Sequence, residues 1–171
     1  MASEPQTRSD EQQIVKLENV GLILTSRAGP VEILRDVSFA VPRGQSVAIV
    51  GPSGSGKTSL LMIVAGLERA TRGRVEVVGQ SFSGLDEDGL ALVRGRDIGI
   101  VFQSFHLVPT MTALENVALP LEFGGDANAF ATARGLLEEV GLGARVDHFP
   151  AELSCGEQQR VALARAIVPR P

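Results

Sequence analysis

The eight residues from Gly51 to Thr58, GPSGSGKT, constrain this chain more than any other stretch. They match the pattern Gly-x-x-x-x-Gly-Lys-Ser/Thr in full. Gly51, Gly54 and Gly56 allow the backbone to turn tightly and to approach an anion closely. Successive backbone N–H groups can then surround phosphate oxygens, and the helix predicted to follow adds its positive end. The alternative is a flexible glycine-serine loop, which the short apolar run before it and the helical pattern after it disfavour.

Two side chains extend this prediction from phosphate to nucleotide. Lys57 carries a positive charge to the β and γ phosphates, and the Thr58 hydroxyl can coordinate Mg²⁺, which prefers oxygen ligands. We therefore expect a nucleoside triphosphate site, with ATP and Mg²⁺ as its ligands. The residues expected to bind them here are Gly51, Pro52, Ser53, Gly54, Ser55, Gly56, Lys57, Thr58 and Ser59.

Composition limits the remaining choices. The chain has 171 residues and a formal net charge of −4, so it has the size of one ordinary domain and no strongly basic field for nucleic acid. Its one cysteine, Cys155, rules out an internal disulfide. Residues 1–11 are polar and aperiodic, which predicts a disordered tail rather than a secretory signal. We find no apolar run of the roughly 18 residues that a membrane span needs.

Periodicity predicts a mixed α/β fold. Residues 14–20 and 33–41 alternate between apolar and polar, which indicates two antiparallel strands joined by a short turn. Residues 46–50 (SVAIV) and 98–102 (IGIVF) are short apolar runs, as expected for strands buried on both faces of a parallel sheet. Residues 112–123 (TALENVALPLEF) predict a helix stopped at Pro120. A final helix should begin at Ser154, whose spacing to Glu157 predicts a capping box.

Two further segments carry a resemblance. FQSFHLVPTMTALENV begins at Phe102, and LSCGEQQRVALARAI runs from Leu153 to Ile167. Together with the glycine-rich loop, and in this order, they resemble the ATPase subunits of ABC transporters, most closely the macrolide-export and lipoprotein-release branch. The resemblance extends from about Ile14 to the end of the sequence. It implies an α/β P-loop NTPase (RecA-like) core with an N-terminal antiparallel β subdomain and a helical subdomain at about 104–157, all within one ATP-binding domain at 12–171.

The resemblance also implies roles for residues outside the loop. In this family a glutamine at a strand end reaches Mg²⁺ and the attacking water, and Gln103 matches it; with Lys57 it would be catalytic. Considered alone, Gln103 would be an ordinary polar residue at a strand end. The family's signature helix caps the γ-phosphate held by a second copy in a head-to-tail dimer. Ser154 and Gly156 match its two phosphate contacts, although an ordinary capped amphipathic helix would explain them too.

The expected partners follow from the same resemblance. They are a second ATPase subunit and a membrane-spanning permease that holds this chain at the cytoplasmic face of the membrane. ATP binding and hydrolysis would then drive export or lipid and lipoprotein release. Two alternatives stay open: a soluble ABC-type ATPase without a transport role, and a degenerate nucleotide-binding remnant. Residues 112–123 favour transport, because they resemble the region that docks on coupling helices of membrane subunits.

Two positions depart from the family pattern. Cys155 lies where the family has glycine, so phosphate capping should be weakened, and Cys155→Gly should raise ATPase activity in the completed protein. Leu24 lies where the family stacks an aromatic ring on adenine, and no aromatic residue occurs from Asn19 to Ser38. Base selectivity should therefore be loose.

The sequence ends at IVPRP, before the family's strand that carries a metal-binding aspartate and a catalytic glutamate. We therefore expect a fragment that is poorly stable and does not hydrolyse ATP alone. His106 and His148 do not match the family's γ-phosphate histidine and are expected to be surface or packing residues.

Overall fold

The computed structural model describes residues 13–27 and 29–171. It divides into two compact units, Met1–Leu90 and Ala91–Pro171. The predicted disordered tail at 1–11 lies outside the described residues. No helix within 13–27 and 29–171 is long and apolar enough to cross a membrane.

The first unit is built on an antiparallel sheet. Strands β1 (Gln13–Ser26) and β2 (Gly29–Pro42) form the predicted hairpin, and β3 (Arg72–Val77) and β4 (Gln80–Ser81) extend it. The spatial order is β2-β1-β3-β4, and each neighbouring pair is antiparallel. Helix α1 (Lys57–Val64) follows the glycine-rich loop.

A bulge in β1 decides which of its side chains enter the core. Leu17, Val20 and Leu22 are each at most 2% exposed, so the buried set changes from an odd to an even position. The register with β2 shifts between Leu17 and Val20, where Asn19 has a left-handed φ of 52°. An extra residue in one strand moves the following side chains to the other face. The Asn19 N–H is satisfied by the Ser38 hydroxyl at 2.8 Å.

The predicted strands at 46–50 and 98–102 are wrong for this structure. Neither segment is assigned as a strand, and Val47, Val50 and Val101 are 55%, 87% and 44% exposed. An apolar run forms a buried parallel strand only when neighbouring strands take up its N–H and C=O groups. The sheet formed by the described residues is antiparallel and pairs with neither segment. Both segments have the composition of strands, but the antiparallel sheet contains no strand that pairs with either of them.

Helix α2 (Glu87–Asp97) crosses the division, and the second unit is built from α3 (Ala113–Phe123), α4 (Ala129–Glu139) and α5 (Cys155–Ile167). Their apolar faces meet in one core, in which Val117, Leu137 and Val161 are fully buried. Buried alanines on all three helices, among them Ala113, Ala133 and Ala164, allow the helices to approach closely.

The prediction that Pro120 stops its helix is also wrong, because α3 continues to Phe123. Proline lacks an N–H, so it removes one helical hydrogen bond, but its carbonyl can still accept one. The Pro120 carbonyl accepts from the Gly124 N–H at 3.1 Å. Only the last turn of α3 follows the proline, and the buried Val117 holds the preceding turn in the core.

Candidate functional site

The glycine-rich loop is exposed, and two of its glycines have left-handed backbone. Gly54 has φ 79° and Gly56 has φ 84°, a region that other residues rarely adopt. Gly56 also lies against β2: a Cβ there would be 2.8 Å from Leu34 Cδ2 and 2.9 Å from the Ile33 carbonyl oxygen. A Cβ at Gly54 would meet nothing within 4 Å. Position 56 therefore needs glycine for conformation and space, and position 54 for conformation alone.

Lys57 folds back over this loop. Its Nζ donates to the carbonyl oxygens of Gly51 at 3.0 Å and Pro52 at 2.6 Å, and lies 3.5 Å from Ser55 Oγ. The ammonium group thus joins the start of the loop to its middle. The positive charge of Lys57 therefore lies beside the loop that is predicted to bind phosphates. The Gly51 and Pro52 carbonyls accept its hydrogen bonds.

The beginning of α1 supplies further donors. The Leu60 N–H bonds to the Gly56 carbonyl at 2.9 Å, so the amides of Lys57, Thr58 and Ser59 precede the first helical hydrogen bond. The first turn contains no acidic side chain that would neutralise the positive end of the helix. Thr58 is exposed, which leaves its hydroxyl accessible to a cation. Loop and helix start thus fit a phosphate group with a bound divalent cation.

Gln103 lies in the second unit, in a turn rather than at a strand end. The turn is closed by the Phe105 N–H, which donates to the Phe102 carbonyl at 3.0 Å. Gln103 itself is exposed. Its amide oxygen is a suitable ligand for Mg²⁺. His106 stacks on the Phe102 ring with centroids 4.7 Å apart, which fits a packing role for this histidine.

One residue beside this turn was missed by the sequence analysis. Arg165, in the last turn of α5, donates from Nη1 to the His106 carbonyl at 2.8 Å and from Nη2 to the Phe105 carbonyl at 2.7 Å. Burial lowers the pKa of its guanidinium group. Nothing in the local pattern predicts this contact, because a basic residue near a helix C-terminus is ordinarily explained by the helix dipole.

The start of α5 has the predicted capping box. Ser154 Oγ accepts from the Glu157 N–H at 3.3 Å, and the Ser154 N–H donates to Glu157 Oε2 at 2.8 Å. Ser154, Cys155 and Gly156 are all exposed. Hydrogen bonds from the Ser154 hydroxyl and N–H, and from Arg145, lower the pKa of Glu157 to about 2.

The first amides of α5 form an accessible donor group. Gln158 N–H bonds to the Ser154 carbonyl at 2.9 Å, so the amides of Cys155 and Gly156 precede the first helical hydrogen bond. A Cβ on Gly156 would have only Arg160 Nη1 near it, at 3.9 Å. Cys155 is absent from the residues with positive φ, so a side chain is accommodated there without strain. His148 lies nearby, with Nε2 3.4 Å from Arg145 Nη1.

The structure gathers the predicted residues into separate groups. Gly51 to Ser59 lie in the first unit, whereas Gln103, Ser154 and Gly156 lie in the second. Leu24 lies in the first unit opposite Val31 on the β1–β2 hairpin, and these side chains are 41% and 45% exposed. The hairpin therefore presents two aliphatic side chains at the position where the family has an aromatic ring.

Comparison with known proteins identifies the family. The family model described as ABC transporter matches residues 34–171. The ABC transporter ATP-binding protein YbbA of Escherichia coli K12 is 52% identical over 143 residues, covering 82% of this chain and 63% of YbbA. The lipoprotein-releasing system ATP-binding protein LolD of Saccharophagus degradans is 46% identical over 160 residues, covering 92% of this chain and 70% of LolD.

A solved structure agrees with these relatives. The ATP-binding cassette MJ0796, in a dimeric post-hydrolysis state bound to ADP and Pi, superimposes with a TM-score of 0.85 at 39% identity, covering 92% of this chain and 70% of that one. The fold is therefore that of an ABC ATPase cassette, with its P-loop NTPase core and antiparallel sheet. The chain spans 63% of the length of YbbA. By sequence and by fold, this chain belongs to the ABC transporter family as an ATP-binding domain.

Proposed function

We propose that this chain holds Mg-ATP on residues 51–58 and the start of α1, as the ATP-binding part of an ABC transporter subunit. The observation that carries the proposal is the exposed loop with left-handed Gly54 and Gly56 and with Lys57 folded across it. A backbone already shaped in this way binds an anion without first being ordered. The MJ0796 cassette, of the same fold, is described with bound ADP and Pi.

Each residue of the loop has a chemical role in this proposal. Lys57 exchanges its bonds to the Gly51 and Pro52 carbonyls for bonds to β and γ phosphate oxygens. The amides of Lys57, Thr58 and Ser59 donate to the phosphates, and the remaining loop residues, Ser53, Gly54, Ser55 and Gly56, contribute backbone. Thr58 Oγ1 would be a cation ligand, and the Gln103 amide oxygen is the second candidate ligand, which the resemblance to the family implies. Mg²⁺ would neutralise phosphate charge there.

The second half of the site comes from another copy of the chain. The exposed Ser154 and Gly156 at the start of α5 present three groups: a hydroxyl that would exchange its bond to Glu157 for one to phosphate, the helical amides that precede the first helical hydrogen bond, and the positive end of a helix dipole. These groups suit the γ-phosphate of a nucleotide held by the partner. MJ0796 is described as dimeric in two solved structures, which supports this arrangement.

For the whole protein we propose coupling of ATP binding and hydrolysis to export or to lipid and lipoprotein release. The name of LolD, a lipoprotein-releasing system ATP-binding protein, supports this branch. The partner would be a membrane-spanning permease that holds the subunit at the cytoplasmic face of the membrane. Gln103 and Lys57 would be the catalytic residues contributed by the part described here.

Nucleotide binding by the 171-residue chain tests the core of this proposal. Titration of a fluorescent ATP analogue with Mg²⁺ should give saturable binding, displaced by ATP and ADP but not by adenosine. Lys57→Ala should weaken binding about 10- to 100-fold, because charged hydrogen bonds to phosphate are lost. Lys16→Ala is the matched control: it removes the only other lysine, which pairs with Glu18 at 2.7 Å on β1. Equal binding by both variants would refute the assignment.

Association of two copies tests the role of α5. Adding Mg-ATP should raise the sedimentation coefficient, and Gly156→Ala should reduce that increase by adding a methyl group to the phosphate-facing surface. The fold of a single copy should tolerate the change, since a Cβ there meets only Arg160 Nη1 at 3.9 Å. Gly135→Ala adds the same group to α4, where nothing lies within 4 Å, and should leave association unchanged. Identical behaviour of the two variants would contradict the role of Gly156.

A further inference from the structure

Among the residues that the structure describes, the turn that carries Gln103 is hydrogen-bonded to α5 through the side chain of Arg165. The two terminal nitrogens of Arg165 reach two successive carbonyls, those of Phe105 and His106, at 2.7 and 2.8 Å. A planar guanidinium can donate in two parallel directions at once, whereas an ammonium is a point donor. The pair of bonds therefore fixes the orientation of the peptide planes as well as their distance from α5.

The backbone that Arg165 holds is strained. Phe105 and His106 have φ of 59° and 46°, two consecutive residues in the left-handed region without glycine. Such conformations cost energy and persist where surrounding contacts enforce them. The contacts here are the two Arg165 bonds, two bonds within the turn and the stacked rings of Phe102 and His106. Within the turn, the Phe105 N–H donates to the Phe102 carbonyl at 3.0 Å and the His106 N–H to the Ser104 carbonyl at 2.6 Å. The Arg165 bonds come from α5, whereas the other contacts lie within the turn itself.

The strained residues lie two and three positions after Gln103, so they determine the path of the chain just beyond it. We propose that Arg165 is a positioning residue, which holds the turn at 102–106 in the conformation from which Gln103 acts. This inference rests on the function proposed above.

The segment beyond the turn has its own support, which separates the two roles. Asn116 is fully buried and bonds to the backbone of Val108, Met111 and Thr112. These contacts fix the part of the segment that approaches α3. They do not include Phe105 or His106, so removal of the Arg165 contacts should loosen the turn beside Gln103 while the α3 end stays ordered.

Amide hydrogen exchange of the 171-residue chain tests the contact directly. In Arg165→Gln the amides of Phe105 and His106 should exchange about tenfold faster, while peptides of α3 and α4 keep their protection. Arg165→Lys should fall between this variant and the parent, and it preserves the test if Arg165→Gln fails to fold. Arg160→Gln, an exposed arginine on the same helix, is the matched control. Unchanged exchange at 105–106, or equal acceleration throughout α3 and α4, would overturn the proposal.

The dependence of nucleotide affinity on Mg²⁺ tests the link to Gln103. ATP affinity is measured with Mg²⁺ and with EDTA for the parent, Gln103→Ala, Arg165→Gln and the double variant. Arg165→Gln should reduce the gain from Mg²⁺ by about the same factor as Gln103→Ala, leave the affinity in EDTA unchanged, and add nothing to Gln103→Ala in the double variant. Additive losses, or an equal loss in EDTA, would overturn the positioning role.

The two proposals fail in different ways. If the parent binds no nucleotide, or if Lys57→Ala binds as well as the parent, the proposed function is wrong, and the exchange experiment still decides whether Arg165 holds the turn. If Lys57→Ala weakens binding about 10- to 100-fold while Arg165→Gln leaves the Mg²⁺ dependence intact, the function stands and the inference about Arg165 falls.

Discussion

Glu157 accepts two hydrogen bonds from Ser154, from its backbone N–H at 2.8 Å and from its hydroxyl at 2.7 Å. Arg145 Nε adds a third at 3.0 Å. All three favour the ionised carboxylate, and they lower the pKa of Glu157 from 4.5 to about 2. The Glu157 carboxyl group of the capping box therefore makes the free energy of unfolding depend on pH.

The acid stability of the chain should depend on Glu157. Its pKa is lower in the folded state, so its contribution is fully present above about pH 4.5 and is lost as the pH falls toward about 2. Glu157→Gln should lower the urea midpoint at neutral pH and flatten its dependence between these limits. Glu139→Gln, an exposed glutamate on α4, is the charge-matched control. Parallel pH curves for the parent and Glu157→Gln would contradict the assignment.

The two left-handed glycines of the loop should respond differently to alanine. Both substitutions force a non-glycine residue into positive φ, which costs about 1–2 kcal/mol of unfolding free energy. Gly56→Ala should cost a further ~1–3 kcal/mol, because the new Cβ would meet Leu34 Cδ2 and the Ile33 carbonyl. Gly54→Ala has open space around it and controls for conformation alone. Urea unfolding measures the difference, and equal losses would show that the contact with β2 is unimportant.

Asn116 should be among the most sensitive polar residues of the second unit. Its side-chain amide donates to the Val108, Met111 and Thr112 carbonyls at 3.0–3.1 Å, and its Oδ1 accepts from the Val108 N–H at 2.8 Å. Asn116→Ala removes the partner of the Val108 N–H and of the Val108 and Met111 carbonyls, while the Thr112 carbonyl keeps the Asn116 N–H at 2.9 Å. The loss should cost about 2–4 kcal/mol. Asn128→Ala, at an exposed position without a side-chain cap bond, should change stability by under ~0.5 kcal/mol. Thermal unfolding of both variants measures the two losses in stability, and equal losses would contradict the prediction.

Base selectivity should be loose, because the aliphatic Leu24 and Val31 offer no ring to stack on adenine. We expect ATP and GTP affinities within a few fold of each other in competition titrations. Leu24→Tyr should raise both affinities about tenfold, since stacking of a base on an aromatic ring is worth ~1–3 kcal/mol. Ile23→Tyr adds the same ring at the adjacent position of β1 and should have little effect. A strong preference of the parent for ATP would contradict this prediction.

The local features of this fold could be predicted from sequence, and the long-range ones could not. The Ser154 capping box and the hairpin turn depend on residues a few positions apart, which a sequence pattern records. The strands at 46–50 and 98–102 were predicted wrongly because strand formation depends on a hydrogen-bonding neighbour, which apolar composition does not supply. Pro120 was over-interpreted as a stop, since a proline one turn from a helix end removes a single hydrogen bond.

The candidate site divides in the same way. Residues 51–58 were recognisable because a single contiguous motif specifies both the turn and the charge. Arg165 was not, because its partners Phe105 and His106 lie about 60 residues earlier in the chain. The roles of Gln103, Ser154 and Gly156 in nucleotide binding stay predictions that the experiments above address.

The position of Lys57 has a consequence for how the loop meets an anion. Its ammonium group has the Gly51 and Pro52 carbonyls as partners, so these carbonyls compete with phosphate oxygens for the same cation. Association should therefore be an exchange of oxygen partners around an ordered cation, with a small loss of side-chain entropy. An anion must offer the ammonium group more than these two carbonyls do, so the loop should discriminate against chloride in favour of multivalent anions such as phosphates.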